Sequence, residues 1–299
     1  MDILERIVAD KRLEVAAAKA AVPEDVLRRR LAAAPAPLPF KEALAASPHG
    51  IIAEFKRKSP SRGWIHEDIG PEQVVPAYAA AGAAALSILT DGPYFGGCLD
   101  YIVRMRPLVD VPILRKEFII DPYQLVEARA AGADAVLLIA SCLSREACAS
   151  LLAEAHSIGL QVLLEVHTVD ELDYVTPDVD AVGVNNRHLG TFHTDVQVSL
   201  DLAAALRDRG LLGGAAPVTG SSGAAHAGSS GPFGSPTGGS LAGGQLAPAG
   251  PIAVSESGIS SPAVVRELRR AGYRGFLMGE CFMKEPDPAA ALTAFASAI

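Results

Sequence analysis

The chain is poor in cysteine and tryptophan, carries no block of basic residues and has no long apolar run, and each shortage removes a class of protein. Its four cysteines, Cys98, Cys142, Cys148 and Cys281, show no C-x-x-C spacing and no companion histidines at zinc-ligand intervals. They read as reduced, buried small hydrophobes, and no metal site is expected. No segment approaches the roughly 18 apolar residues of a membrane span. The N-terminus, Met1-Asp2-Ile3-Leu4-Glu5-Arg6, interleaves charge where a signal peptide needs an unbroken apolar core. A cytoplasmic address is therefore expected. The net charge of −8 and the absence of Lys/Arg clusters argue against nucleic acid or a membrane surface as partner, which leaves a small molecule.

What is present is a rhythm. With 299 residues, 49% of them hydrophobic, the chain can bury a substantial core. Short β-branched or Leu-rich runs at 51–56, 85–89, 113–116, 135–140, 161–166, 181–185, 252–256 and 275–279 alternate with longer stretches of helical period. Gly82, Gly132, Gly159 and Gly272 stand where helices should stop. Eight βα units in about 250 residues fit a closed (β/α)8 TIM barrel better than an open doubly wound sheet. Residues 1–50 precede the first strand and read as extra N-terminal helices capping one face of the barrel or its ligand. Residues 211–250 contain no Asp, Glu, Lys or Arg and are dominated by Gly, Ala, Ser and Pro. They read as a long disordered, low-complexity insertion before strand 7 of one single barrel domain.

In such a barrel chemistry sits where strands end. Those ends carry Glu54 and Lys56, Lys116, Glu165, Asn185 and Arg187, and Glu256. Glu54 and Lys56 are two apart, so both fall on one face of a strand, where opposite charges would meet inside the mouth. Each residue alone has an ordinary structural reading as a rim lysine, a satisfied carboxylate or an Asn turn. Five strands ending in ionisable or amide groups are harder to explain that way, because a buried charge without a partner is costly. Ser257-Gly258 after strand 7 and Gly279-Glu280 after strand 8 each precede a helical segment and suit an anion held by backbone N–H groups. Glu280 should turn its carboxylate away and leave its amide to donate.

Four stretches then carry a resemblance over nearly the whole chain. They are Ile51-Ile52-Ala53-Glu54-Phe55-Lys56-Arg57-Lys58-Ser59-Pro60-Ser61, Leu114-Arg115-Lys116-Glu117-Phe118-Ile119, Val184-Asn185-Asn186-Arg187-His188-Leu189 and Val254-Ser255-Glu256-Ser257-Gly258-Ile259. In this order, with Leu163-Leu164-Glu165-Val166 between the second and third, they resemble the indole-3-glycerol-phosphate synthase family. The opening helix with Lys11 is similar as well. Two departures are Cys98, where the family pattern suggests Ser, and the 211–250 segment in place of a short connection.

The resemblance implies a carboxy-lyase of tryptophan biosynthesis acting on the sugar phosphate 1-(2-carboxyphenylamino)-1-deoxyribulose 5-phosphate, with no cofactor, redox or metal chemistry. It implies Lys116 as general acid, Lys56 as partner of the substrate carboxylate, and Glu165 and Glu54 as acid and base in the loss of water. Asn185 and Arg187 would orient the substrate. Glu256 would hold ribulose hydroxyls or a neighbouring cation. Ser59, Phe95 and Phe118 would be substrate contacts, the two rings as walls for the anthranilate ring, and Ser257, Gly258, Gly279 and Glu280 the phosphate site. The sequence leaves open the division of proton-transfer roles and whether other tryptophan-pathway enzymes are partners. A phosphoribosylanthranilate isomerase-like enzyme would place Cys or Asp at these strand ends, and a non-catalytic sugar-phosphate-binding barrel would lack the lysines.

Overall fold

A computed structural model describes residues 3–188, 193–211 and 250–299. Eight parallel strands close into a barrel: β1 (Ile51–Phe55), β2 (Ala85–Leu89), β3 (Ile113–Lys116), β4 (Ala135–Ile139), β5 (Gln161–Val166), β6 (Ala181–Asn185), β7 (Ile252–Glu256) and β8 (Tyr273–Met278). Each pairs with its sequence neighbours, and β8 returns to β1 with Ile52 opposite Leu277. The strands are near-continuous apolar runs because both of their faces are covered. Outward residues such as Ala53, Phe55, Val136 and Val162 pack under the helices. Inward residues such as Ile52, Leu114, Leu163 and Val254 fill the barrel.

The four glycines read as helix stops all lie at left-handed φ, between 84° and 109°. Two departures from the sequence reading concern local structure. A two-residue-stranded hairpin, Lys58–Ser59 against Gly63–Trp64, interrupts the loop after β1. After β5 the chain makes only a 3₁₀ turn, Asp170–Tyr174, because acidic residues and the following Val175-Thr176-Pro177 disfavour a longer helix. The cysteine reading needs correction: Cys148 is buried, Cys142 and Cys281 are half-buried, and Cys98 is exposed. Cys98 follows two glycines in a surface turn that offers no apolar cover.

Three helices precede the barrel, and they divide between its two ends. Helix α1 (Ile3–Ala21) lies beside the C-terminal mouth, where Ile3, Leu4 and Ile7 reach the cavity described below. Helix α2 (Glu24–Ala33) packs on the helix Pro122–Ala131. Helix α3 (Phe40–Ala46) inserts Phe40 and Leu44 into the apolar layer at the opposite end. No helix among the described residues is long and apolar enough to cross a membrane. The low-complexity segment read at 211–250 falls almost wholly outside the described residues, which stop at Leu211 and resume at Gly250, immediately before β7 (the seventh barrel strand, or the ninth strand if the hairpin is counted).

Asp134, at the start of β4, ties the closed end together. Its carboxylate accepts the N–H of Leu38 and of Ile113, both at 2.7 Å, and the Arg106 guanidinium at 2.5 Å. Asp134→Ala would leave two buried N–H groups and a guanidinium without their acceptor. We expect a loss of about 3 kcal/mol of stability, read by urea denaturation, with KM little changed because the site is at the other end. A loss below about 1 kcal/mol would show that water replaces the carboxylate.

Candidate active site

The inward face of the odd-numbered strands changes character one step before the mouth. Below lie Ile52, Leu114, Leu163 and Val254; two residues further along come Glu54, Lys116, Glu165 and Glu256. Alternate strands of such a barrel contribute one layer of four side chains, and here that layer is ionic. Lys116 Nζ stands 2.9 Å from Glu165 Oε2 and 3.2 Å from Glu256 Oε2. Lys56, above them, pairs with Glu54 at 2.6 Å, the meeting expected from their spacing.

The even-numbered strands make room for this layer. A Cβ on Gly183 would lie 2.1 Å from Glu256 Oε1, and one on Gly279 would lie 2.6 Å from Glu54 Oε1. Gly279 is thus required first by the glutamate beside it, a reason the sequence reading did not supply. Glu256 Oε1 is buried and accepts no hydrogen bond. Glu165 is better served: Asn185 Nδ2 donates to its Oε1 at 3.2 Å.

These contacts separate the two glutamates that share Lys116. Burial favours the neutral acid in both. For Glu165, Lys116 and then His167 outweigh burial and hold the carboxyl down at about 2. For Glu256 burial wins against Lys116, helped by the charge on Glu165, and the carboxyl is pushed up to about 7. Burial also opposes the charge on Lys116, but Glu165, Glu256 and Glu54 outweigh it, so the ammonium is held above its ordinary range. A lysine acid made more acidic by neighbouring cations is not what this site contains.

Above the ionic layer a cavity of about 370 Å³ opens. All the residues singled out in the sequence line it: Glu54, Lys56, Ser59, Phe95, Lys116, Phe118, Glu165, Asn185, Arg187, Glu256, Ser257, Gly258, Gly279 and Glu280. Phe95 and Phe118 face each other on one side, ring centroids 6.0 Å apart. On the other side the turn after β7 carries Ser257 (φ 66°), the one non-glycine at positive φ among the described residues, followed by Gly258 (φ 75°). Such a strained turn is characteristic of functional loops. The Glu280 carboxylate bridges Arg62 at 3.0 Å and Arg187 at 3.5 Å, joining the loops after β8, β1 and β6. Arg187 also donates to Ser61 Oγ at 2.9 Å. Among the described residues no group of three or more His, Cys, Asp or Glu is arranged to hold a metal ion.

A family model described as indole-3-glycerol phosphate synthase matches residues 4–216. An indole-3-glycerol phosphate synthase of Bacteroides thetaiotaomicron is 49% identical over 100% of this chain and 99% of its own length. That of Azoarcus sp. is 41% identical over 98% of each chain. The chain belongs to the indole-3-glycerol phosphate synthase family. The family model ends before β7, so the family relationship of Glu256, Ser257 and Gly279 rests on the full-length relatives. Solved structures at 12% identity share the barrel alone: one titled for the tryptophan synthase α2β2 complex of Pyrococcus furiosus covers 83% of this chain and 96% of its own, with a TM-score of 0.52. The 3-hexulose-6-phosphate synthase of Salmonella typhimurium covers 83% and 97%, with a TM-score of 0.50.

Sequence reasoning passed over several residues that shape this indole-3-glycerol phosphate synthase-family site. Arg62 and Ser61 sit in the loop whose first half was singled out. His167 lies two residues beyond Glu165, the same spacing that marked Glu54 and Lys56. Lys11 was noticed only as part of a similar helix. It is buried and pairs with Asp91 and Glu117, both at 3.0 Å, and with Glu14 at 2.5 Å. Asp91 caps the short helix bearing Phe95, and Glu117 accepts the N–H of Phe118, so Lys11 fixes α1 to both aromatic walls.

The raised proton affinity of Glu256 has a consequence for stability. The folded state holds this proton more tightly than the unfolded chain, so its contribution is present below the ordinary carboxylate range and is lost as pH rises through about 7. Glu165, shifted downward, contributes equally at pH 5 and pH 8. The stability of the parent relative to Glu256→Gln should therefore fall by about 2 kcal/mol between those pH values, measured by urea denaturation at each. A pH-independent difference would mean that Glu256 is ionised throughout.

Proposed function

We propose that the chain closes the indole ring of 1-(2-carboxyphenylamino)-1-deoxyribulose 5-phosphate, releasing CO2 and water to form indole-3-glycerol phosphate. The observation that carries this reading is one buried ammonium held between carboxylates at the floor of a cavity with an aromatic wall on one side and an anion-suited turn on the other. Family membership supports the same activity.

In this reading the anthranilate ring lies against Phe95 and Phe118, and the phosphate lies at the backbone of Ser257, Gly258, Gly279 and Glu280. The ketone oxygen is then directed at the ionic layer. Lys116 donates the proton as the aromatic carbon attacks the carbonyl. The carboxylates that keep Lys116 charged do not disqualify it, because a developing alkoxide is a far stronger base than an amine. Lys56 meets the substrate carboxylate, and its attachment to Glu54 places it at the mouth. Loss of water requires an acid at the departing hydroxyl and a base at the nitrogen side of the new ring. Glu165 and Glu54 stand on opposite sides of Lys116's layer and fill those two roles. Asn185 holds Glu165 in place, and Arg187 and Ser59 orient the sugar phosphate from the rim.

Formation of product is followed directly by indole fluorescence. Lys116→Met keeps the stem and removes the proton donor, so kcat should fall by at least about 10²-fold with the fold retained. Glu165→Gln should likewise lower kcat more than it raises KM. Near-parental turnover in either variant would remove that residue from proton transfer. At the anion end, Gly258→Val would drive its side chain into Thr194, whose Cγ2 lies 2.5 Å from a Cβ at that position. KM should rise and inhibition by free phosphate should weaken together; unchanged phosphate inhibition would place the anion elsewhere.

A further inference from the structure

The proposed reaction consumes a proton that the cavity cannot readily supply. The ketone oxygen takes one proton to become a hydroxyl and a second to leave as water, while closure of the ring returns one. The carboxylate departs as neutral CO2, so each turnover draws one proton from solvent. Substrate fills the mouth, and Lys116 and Glu165 lie at the buried floor.

Behind Glu165, and not on the cavity wall, stands His167. Its side chain is 12% exposed, its Nε2 lies 3.4 Å from Glu165 Oε1, and its Nδ1 lies 3.6 Å from Glu171 Oε2. Neither ring nitrogen makes a hydrogen bond of good geometry in this state, although each has a carboxylate oxygen within 3.6 Å. The Glu171 carboxylate is anchored by the N–H groups of His167 and Thr168 and is 17% exposed, in a surface turn. On the far side, Glu165 Oε2 accepts Lys116 Nζ at 2.9 Å. A continuous line of titratable groups thus runs from the surface to the floor of the site.

We propose that Glu171, His167 and Glu165 form a proton path from solvent to Lys116, with His167 a relay residue acting through Glu165 and never touching substrate. The proposal rests on the reading that Glu165 and Lys116 handle protons. A proton arriving at Glu171 passes to Nδ1 and makes the ring an imidazolium. The Nε2 proton then moves to Glu165 Oε1, and Glu165 returns a proton to the neutral amine left when Lys116 has donated. The ring regains its first tautomer by exchange with solvent, Nδ1 releasing a proton as Nε2 takes one up from water; one proton enters at Glu171, one is delivered to Lys116, and no other bond changes. The charged groups acting on the ring are Glu171, Glu165 and Glu256. Burial disfavours the imidazolium, but these three outweigh it and raise the ring's proton affinity, which suits a carrier at neutral pH.

The test uses the full chain with His167→Asn and, because a buried ring is removed there, Glu171→Gln, whose amide oxygen can still accept both N–H groups. In each variant the first turnover, run on the resident proton with enzyme in excess, should stay within about twofold of the parent, while steady-state kcat falls by about tenfold or more. Added imidazole should restore kcat of His167→Asn in a concentration-dependent way and leave the parent unaffected. Parental kcat in both variants would overturn the path, as would a first-turnover rate that falls as far as kcat, since the residue would then only hold Glu165 in place. If the parent itself forms no indole product, it is the proposed activity that fails, and this is seen in the same assay before any variant is compared.

Discussion

Three glutamates and one lysine share a single layer of a closed barrel, and much of the structure above that layer answers to this constraint. A charge cannot be left there unpaired, so Lys116 is needed by Glu165 and Glu256 as much as they are needed by it. With fewer cations than carboxylates on the floor, the surplus is settled by protonation: the glutamate with extra donors ionises, and the one without them keeps a proton near neutrality.

The surroundings follow from making the layer fit. Gly183 on β6 and Gly279 just after β8 stand where any side chain would collide with Glu256 or Glu54. Asn185 and His167 crowd Glu165 from the side and from behind. Ionic contacts then spread outward along the loops. Lys11 draws α1 onto Asp91 and Glu117 and so sets the two aromatic walls, while Glu280 gathers Arg62 and Arg187 across the opposite rim. Because the closed end is held separately, by Asp134 and by Phe40 and Leu44, the mouth carries its strain without bearing the whole stability of the barrel.

Period and punctuation were legible in the chain because they are local. Strands buried on both faces must be apolar throughout, and Gly82, Gly132, Gly159 and Gly272 stop helices by a backbone preference that needs no neighbour. The site residues were legible for a related reason: polar side chains at the ends of apolar strands are conspicuous, and a two-residue spacing puts Glu54 with Lys56 on one face. The hairpin at Lys58–Ser59 and Gly63–Trp64 was not legible, since strands so short have no period to read.

By itself, then, the sequence determined the number of barrel strands, the face each strand side chain takes and the strand-end residues that reach the mouth, all consequences of alternation along one strand. Only the tertiary structure decided which charges meet. That Lys116 lies between Glu165 and Glu256, that Gly183 is empty for the sake of a glutamate on the next strand, and that Lys11 reaches Asp91 and Glu117 all depend on barrel closure and stagger. So does the state of each glutamate, because a carboxyl's proton affinity is set by burial and by charges brought near from distant parts of the chain.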